Sequence, residues 1–306
     1  MAVPDDLTLE VRTRLEPEQV SEIRALVAAA AESDGVHPLS EHVALHLAHG
    51  GDPDARNVLA RVDGTLVGYA HLDLTDVVAG ASSELVVHPD RRRQGIGAAL
   101  VGQVLGLSSD GRLRLWAHGN HPAAAELAKR LGFRRARALF QMRRSLYAAL
   151  PKPELPDGVT VRTFVPGQDE ERWVEVNNAA FAEHPEQGQW TVEDLRVREK
   201  EPWFDPEGFF LAERDGELLA FHWTKVHGSG GHHHEAMGEV YVVGVSPSAQ
   251  RLGLGPAMTL VGLRHLRSRG LSQAMLYVDE ANTNAIRVYE RLGFARWDTD
   301  VSYVKS

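Results

Sequence analysis

Gln250, Arg251, Gly253 and Gly255 follow a valine-rich run, Val240 to Val245, that Ser246 and Pro247 bring to a stop. Behind them Leu260, Leu263 and Leu266 recur at helical spacing, so the pattern predicts strand, glycine-rich turn and helix. A helix start leaves N–H groups without intrahelical partners and carries the positive end of the peptide dipoles, which together attract an anion. Glycine lets the anion reach the backbone, and Arg251 adds a full charge. A pyrophosphate fits that chemistry. The same residues also suit a tight turn that only packs a helix on a sheet.

The pattern occurs twice. Glu84 to Pro89 is followed by Arg91, Arg92, Arg93, Gln94, Gly95, Ile96 and Gly97, and one offset aligns Pro89 with Pro247, Gly95 with Gly253 and Gly97 with Gly255. A second shared segment follows each copy, from Asn120 to Arg130-Leu131-Gly132-Phe133 and from Asn282 to Arg291-Leu292-Gly293-Phe294. Set against each other, the copies differ where protons can be moved. Opposite Glu239 the first copy has Ala81, and opposite Tyr289 it has Ala128. A carboxylate can take a proton from an attacking group, and a phenol of pKa about 10 can return one to a leaving group. Taken singly, a strand-end carboxylate and a core aromatic are the alternatives for these two residues.

Elements able to hold such a site are legible on either side. The 306 residues suffice for two domains of ordinary size, each with its own core. Asp63-Gly64 between Val58–Val62 and Leu66–Leu74, and Asp215-Gly216 between Phe209–Glu213 and Leu218–Val226, are hairpin signals at matching places in the two halves. Helical spacing predicts helices over Glu18–Ala31, near Glu41–His49 with Ser40 as its cap, and over Gln168–Phe181. Between the halves, Ala148 to Gly158 is proline-rich and reads as a linker. Two loops, around His184–Trp190 and Glu201–Phe209, mix aromatic and acidic residues; they suit either buried helix-ending turns or a polyhydroxylated or cationic small molecule.

A formal net charge of −9 argues against general nucleic-acid binding. The chain has no cysteine, hence no disulfide and no thiolate nucleophile or metal ligand. No signal peptide and no membrane-spanning run is apparent, so the expectation is a cytoplasmic protein without a membrane partner, and a monomer. His232, His233 and His234 are consecutive and point in alternating directions, so a loop is expected there rather than a metal site.

Strand, Q/R-x-x-G-x-G, helix, then N-x-x-A and a closing R-L-G-F resembles the GNAT acetyltransferases, and does so in both halves. The resemblance implies an α/β (α+β) fold of two tandem GNAT-type domains, 1–147 and 159–306 joined by a linker at 148–158, each a mixed, mostly antiparallel sheet flanked by helices. It implies acetyl-CoA as co-substrate, with the pantetheine arm along Val243, Gly244 and Val245 and the pyrophosphate at Gln250, Arg251, Leu252, Gly253, Leu254, Gly255 and Pro256. In the first half the corresponding residues are Leu85, Val86 and Val87, then Arg93, Gln94, Gly95, Ile96, Gly97 and Ala98. Since Glu239 and Tyr289 stand only in the second half, that half is expected to be catalytic and the first non-catalytic.

Longer segments are similar to a tandem-domain branch of this family that acetylates the cysteinyl amine of Cys-GlcN-Ins, the last step of mycothiol synthesis. They are S-D-G-V-H-P-L-S-E, H-P-E-Q-G-Q-W, W-F-D-P-E-G-F, G-E-V-Y-V-V-G-V and L-Y-V-D-E-A-N-T-N-A-I-R-V-Y. This resemblance implies Glu239 as general base, Tyr289 as general acid, and Glu41, Glu186, Lys225, Glu239 and Tyr277 as substrate contacts. It adds Asn282, Thr283, Asn284, Ala285, Ile286 and Arg287 as coenzyme contacts. The residues alone leave open another amine as acceptor, or an acetyl-CoA sensor without turnover.

Overall fold

The structure is a computed structural model that describes residues 3–49, 54–75, 81–108, 111–182, 188–227 and 236–305. Its elements run in order as β1 (Thr8–Arg12), α1 (Pro17–Asp34), α2 (Glu41–His49), β2 (Arg56–Val62), β3 (Thr65–Asp73), β4 (Ala81–Val87), α3 (Ile96–Leu107), β5 (Leu113–Ala117), α4 (Pro122–Arg130) and β6 (Arg134–Ser145). Then come β7 (Thr160–Thr163), α5 (Glu170–Ala180), α6 (Val192–Glu199), β8 (Phe209–Arg214), β9 (Glu217–His227), β10 (Met237–Val245), α7 (Leu254–Ser268), β11 (Gln273–Asp279), α8 (Thr283–Arg291) and β12 (Ala295–Lys305).

Both hairpins form where Asp-Gly stands. Asp63 and Gly64 have φ of 48° and 76°, and Asp215 and Gly216 have 54° and 81°. Two successive left-handed residues give a turn whose twist matches that of the strands. Ser40 Oγ accepts from the Val43 N–H at 3.4 Å, in the capping position expected for α2.

The chain divides into two compact units, residues 1–139 with 298–306, and residues 140–297. In the first, the strand order is β1-β2-β3-β4-β5-β12, antiparallel except for the parallel pair β4 and β5. One face packs on α1 and α2 through Ile23, Leu26, Val43 and Tyr69, the other on α3 and α4 through Leu100, Val104 and Ala128. In the second, the order is β6-β11-β10-β9-β8-β7, with β10 and β11 parallel. Trp173 of α5 and Leu195 of α6 cover one face, and Met258, Leu263 and Leu266 of α7 cover the other.

These boundaries differ from the halves drawn at 147 and 159. Past Leu139, β6 belongs to the second unit, whose core takes Met142, Leu146 and Leu150. From Asp298 onward β12 belongs to the first unit, pairing with β5 and burying Val301 and Tyr303 in that core. A repeat shows which segments are alike, whereas sheet membership depends on which strand edge each meets. Residues 148–158, expected as a linker, carry no helix or strand but fall inside the second unit, where Leu150 is part of the core. Among the described residues no helix is long and apolar enough to cross a membrane.

Candidate active site

Parallel pairing between β10 and β11 is confined to Gly238–Ala274 and Glu239–Met275. Beyond Glu239 the two strands part, so on this side Val240 to Val245 have no strand partner among the described residues. Backbone N–H and C=O groups on such an edge need partners, and an extended ligand arm can supply them. This is the segment expected to face pantetheine.

On its other side β10 pairs with β9, and the register slips between Val240 and Val242. Tyr241 is the extra residue of a β-bulge, which bends the strand and re-aims the side chains before it. The bulge also corrects the comparison of copies. Glu239 is opposite Lys225, as Ser82 is opposite Asp73 in the first unit, so Ser82 takes the place of Glu239 and Ala81 that of Gly238. Neither residue of the first unit is a carboxylate.

Glu239 is only 7% exposed. Its Oε2 lies 2.7 Å from Nε2 of His227, the last residue of β9. Beside it, Lys225 places Nζ 4.3 Å from the ring centre of Trp203 and 5.3 Å from that of Tyr241. Arg198 of α6 donates from Nε to the Tyr241 hydroxyl at 2.9 Å and lies 4.1 Å over Trp190. Trp190 and Trp203, from the two aromatic loops, both meet the buried ring of Trp223. The loops thus build half-buried aromatic walls next to Lys225, packed as helix-ending turns would be. On β11, Tyr277 is 42% exposed and its hydroxyl accepts from Gln141 Nε2 at 2.8 Å. Of the other substrate candidates, Glu41 opens α2 in the first unit, half-buried. Glu186 lies outside the described residues, as do His232 to His234. Nothing in the sequence pattern singled out His227, Arg198 or Tyr241; the hairpin of β9 and β10 was the signal that could have paired His227 with Glu239.

Tyr289 sits on α8, packed against the core and edge-on to Phe294, with ring centres 5.9 Å apart. Burial pushes its phenol up to about 12, so it holds its proton at neutral pH as a donor must. Its carbonyl accepts from Phe294 N–H at 3.0 Å, as that of Ala128 accepts from Phe133 N–H at 2.9 Å. The pairing of Tyr289 with Ala128 is therefore structural as well as sequential. One residue shifts in the adjoining segment: Asn282 caps α8 by accepting from Ala285 N–H, while α4 is capped by His121, not Asn120. The Asn282 side chain is engaged at the helix start; Thr283, Asn284 and Arg287 are exposed, and Ala285 and Ile286 pack on the core.

The two glycine-rich turns have the same backbone. Arg93 and Gly95 have φ of 63° and 82°, and Arg251 and Gly253 have 67° and 78°. Left-handed residues at alternate positions make a concave row of N–H groups, an anion nest, immediately before a helix N-terminus. An arginine held in that conformation in both copies is a strained feature invisible in the sequence. These residues, with the stretch of β10 beyond its pairing with β11, fit a coenzyme bearing a pyrophosphate and an extended amide arm. At the first nest the approach is narrower, since Val3 packs on Gly95: a Cβ built on that glycine would meet Val3 Cγ2 at 3.0 Å.

The first unit also holds a buried charge cluster absent from the sequence reading. Glu84 stands where β10 has Val242, judged by their partners His71 and Trp223. One of its oxygens accepts from Ser40 N–H at 2.6 Å and lies 3.5 Å from His118 Nε2; His118 Nδ1 is 2.9 Å from Asp300. Burial disfavours a charged His118, but hydrogen bonds to Asp300 and Glu84 overcome it and push the imidazole up to about 10. Burial likewise raises Glu84, and His118 and Ser40 outweigh it, holding the carboxyl down at about 2. Among the described residues no group of three or more His, Asp or Glu is arranged to hold a metal ion.

Residues 173–294 match the acetyltransferase (GNAT) family and residues 53–135 a GNAT acetyltransferase domain, so both parts of the chain are GNAT acetyltransferase domains. A solved GCN5-related N-acetyltransferase from Sphaerobacter thermophilus is 27% identical, with a TM-score of 0.71 over 99% of this chain and 96% of that one. A mycothiol acetyltransferase from Acidothermus cellulolyticus is 56% identical over 98% of this chain and 95% of its own length. Another, from Streptosporangium roseum, is 55% identical over 97% of this chain and 99% of its own. The chain belongs to the mycothiol acetyltransferase family.

Proposed function

We propose that the chain transfers the acetyl group of acetyl-CoA to the cysteinyl amine of Cys-GlcN-Ins, giving mycothiol and CoA, and that the second unit does so. The observation that carries this reading is Glu239: a buried carboxylate at the point where β10 leaves β11, flanked by Lys225 and the aromatic walls of Trp203 and Tyr241. Aromatic faces suit the ring carbons of a sugar and an inositol, and charged and phenolic groups suit their hydroxyls.

In this reading Glu239 takes a proton from the acceptor ammonium, freeing its lone pair to attack the thioester carbonyl. Tyr289 gives its proton to the departing thiolate, and burial has kept that proton in place. The nest of Arg251 and Gly253 holds the pyrophosphate, and the β10 edge orients the pantetheine arm. Lys225 and Tyr277 bind the acceptor, with Glu186 as a further contact. The first unit keeps its nest but has Ser82 and Ala128 where base and acid would stand, which supports coenzyme binding without turnover there.

The test is acetyl-CoA-dependent acetylation of Cys-GlcN-Ins, followed by mass so that the acceptor's own thiol does not interfere. Glu239→Gln and Tyr289→Phe should each lower kcat by about 10²-fold or more while acetyl-CoA still binds. No product from the wild-type protein with acetyl-CoA bound sinks the acceptor assignment.

A further inference from the structure

We infer that His227 is the positioning residue of the general base. The inference rests on the reading of Glu239 just given and adds to it a second residue. His227 ends β9, and in the antiparallel ladder Lys225 faces Glu239 while His227 faces Met237. The imidazole therefore reaches Glu239 diagonally, and Nε2 meets Oε2 at 2.7 Å. The carboxylate side chain is 9% exposed and the imidazole 37%, so one edge of the pair is walled in and the other open.

With Glu239 ionised, His227 Nε2 carries the hydrogen and donates it to Oε2. That bond fixes the carboxylate rotamer and leaves Oε1 to take the proton from the acceptor: an N–H bond breaks, an O–H bond forms on Oε1, and the amine keeps the electron pair. Among the described residues of β9, Lys225 is the other titratable group on the face toward Glu239, and β11 presents Met275. Removing His227 thus frees the rotamer that presents Oε1.

His227→Ala and His227→Gln separate this role from mere packing, because glutamine keeps an N–H donor. With Cys-GlcN-Ins, His227→Ala should lower kcat about 10-fold or more with both KM values nearly unchanged, and His227→Gln should recover most of it. A ¹H–¹⁵N spectrum of the histidine rings, with His227 assigned through His227→Gln, reads the contact without any acceptor. In the wild-type protein the His227 Nε2–H should lie downfield as a hydrogen-bonded donor, and in Glu239→Ala it should move upfield. An Nε2–H resonance that Glu239→Ala leaves unmoved overturns the inference whether or not Cys-GlcN-Ins proves to be the acceptor. So does wild-type kcat in His227→Ala.

Discussion

Asp300→Asn should weaken the unit that contains residue 118, although position 300 follows the whole second unit in the chain. Asp300 reaches back to His118 at 2.9 Å and accepts from the Gly119 N–H at 2.9 Å, all within the first unit. The rise of His118 from 6.5 to about 10 corresponds to about 5 kcal/mol of preference for the charged ring, at ~1.4 kcal/mol for each tenfold. Asp300 is the nearer of the two carboxylates, at 2.9 Å against 3.5 Å for Glu84, so its loss should cost about 2–3 kcal/mol. The sign of the pH dependence follows from a raised folded-state value. Stability from the charged ring is complete below the unfolded value of 6.5 and is lost as pH rises through about 10. The gap between wild type and variant should therefore be full near pH 6 and shrink as pH approaches 10. Hydrogen exchange read by mass on peptides covering 113–120, compared with 237–245, measures it locally. A gap of the same size at both ends of that range refutes a charged His118, and a loss confined to 237–245 refutes the place given to Asp300.

Gly262 lies against His222, whose ring would be 2.2 Å from an added Cβ, whereas the first unit has Val104 and Ala70 at the corresponding positions. Gly262→Ala should cost about 1–3 kcal/mol in urea unfolding, and His222→Ala in the same chain should return more than half of it. His222 is buried and driven down to about 4 despite the Met258 carbonyl that accepts from Nδ1, so the second unit should lose stability as pH falls from 6.5 toward 4. The doubly substituted protein should lack that slope. Arg251→Gly relieves a left-handed side-chain-bearing residue and should raise stability by about 1 kcal/mol, while KM for acetyl-CoA rises. Arg93→Gly should give the same gain with no change in turnover, and a fall in kcat there would contradict a non-catalytic first unit.

The elements legible in the sequence were those written in local chemistry. Asp-Gly pairs marked both hairpins, and the valine run and glycines of 240–255 marked strand, nest and helix, because a turn depends on the few residues that make it. What escaped depends on partners. The bulge at Tyr241 is a choice of register between β9 and β10, and missing it set Ala81 against Glu239 instead of Ser82. The alignment of Asn120 with Asn282 slips by one residue at the cap, because His121 can also accept at a helix start and the backbone's entry decides which residue stands there. His227 and Glu239 are twelve positions apart in the chain, and only the ladder makes them neighbours. The place of β12 beside β5 is likewise a choice of strand edge, which no local pattern records.

The division of the chain into 1–139 with 298–306 and 140–297 orders its synthesis in time. A ribosome that has made the first 139 residues has made a unit that still wants Asp300 for His118 and the buried side chains of Val301 and Tyr303. The second unit is contiguous and can close as soon as Trp297 is out. The unit begun first is thus finished last, and until then its β5 edge, Leu113 to Ala117, waits for the strand that will cover it.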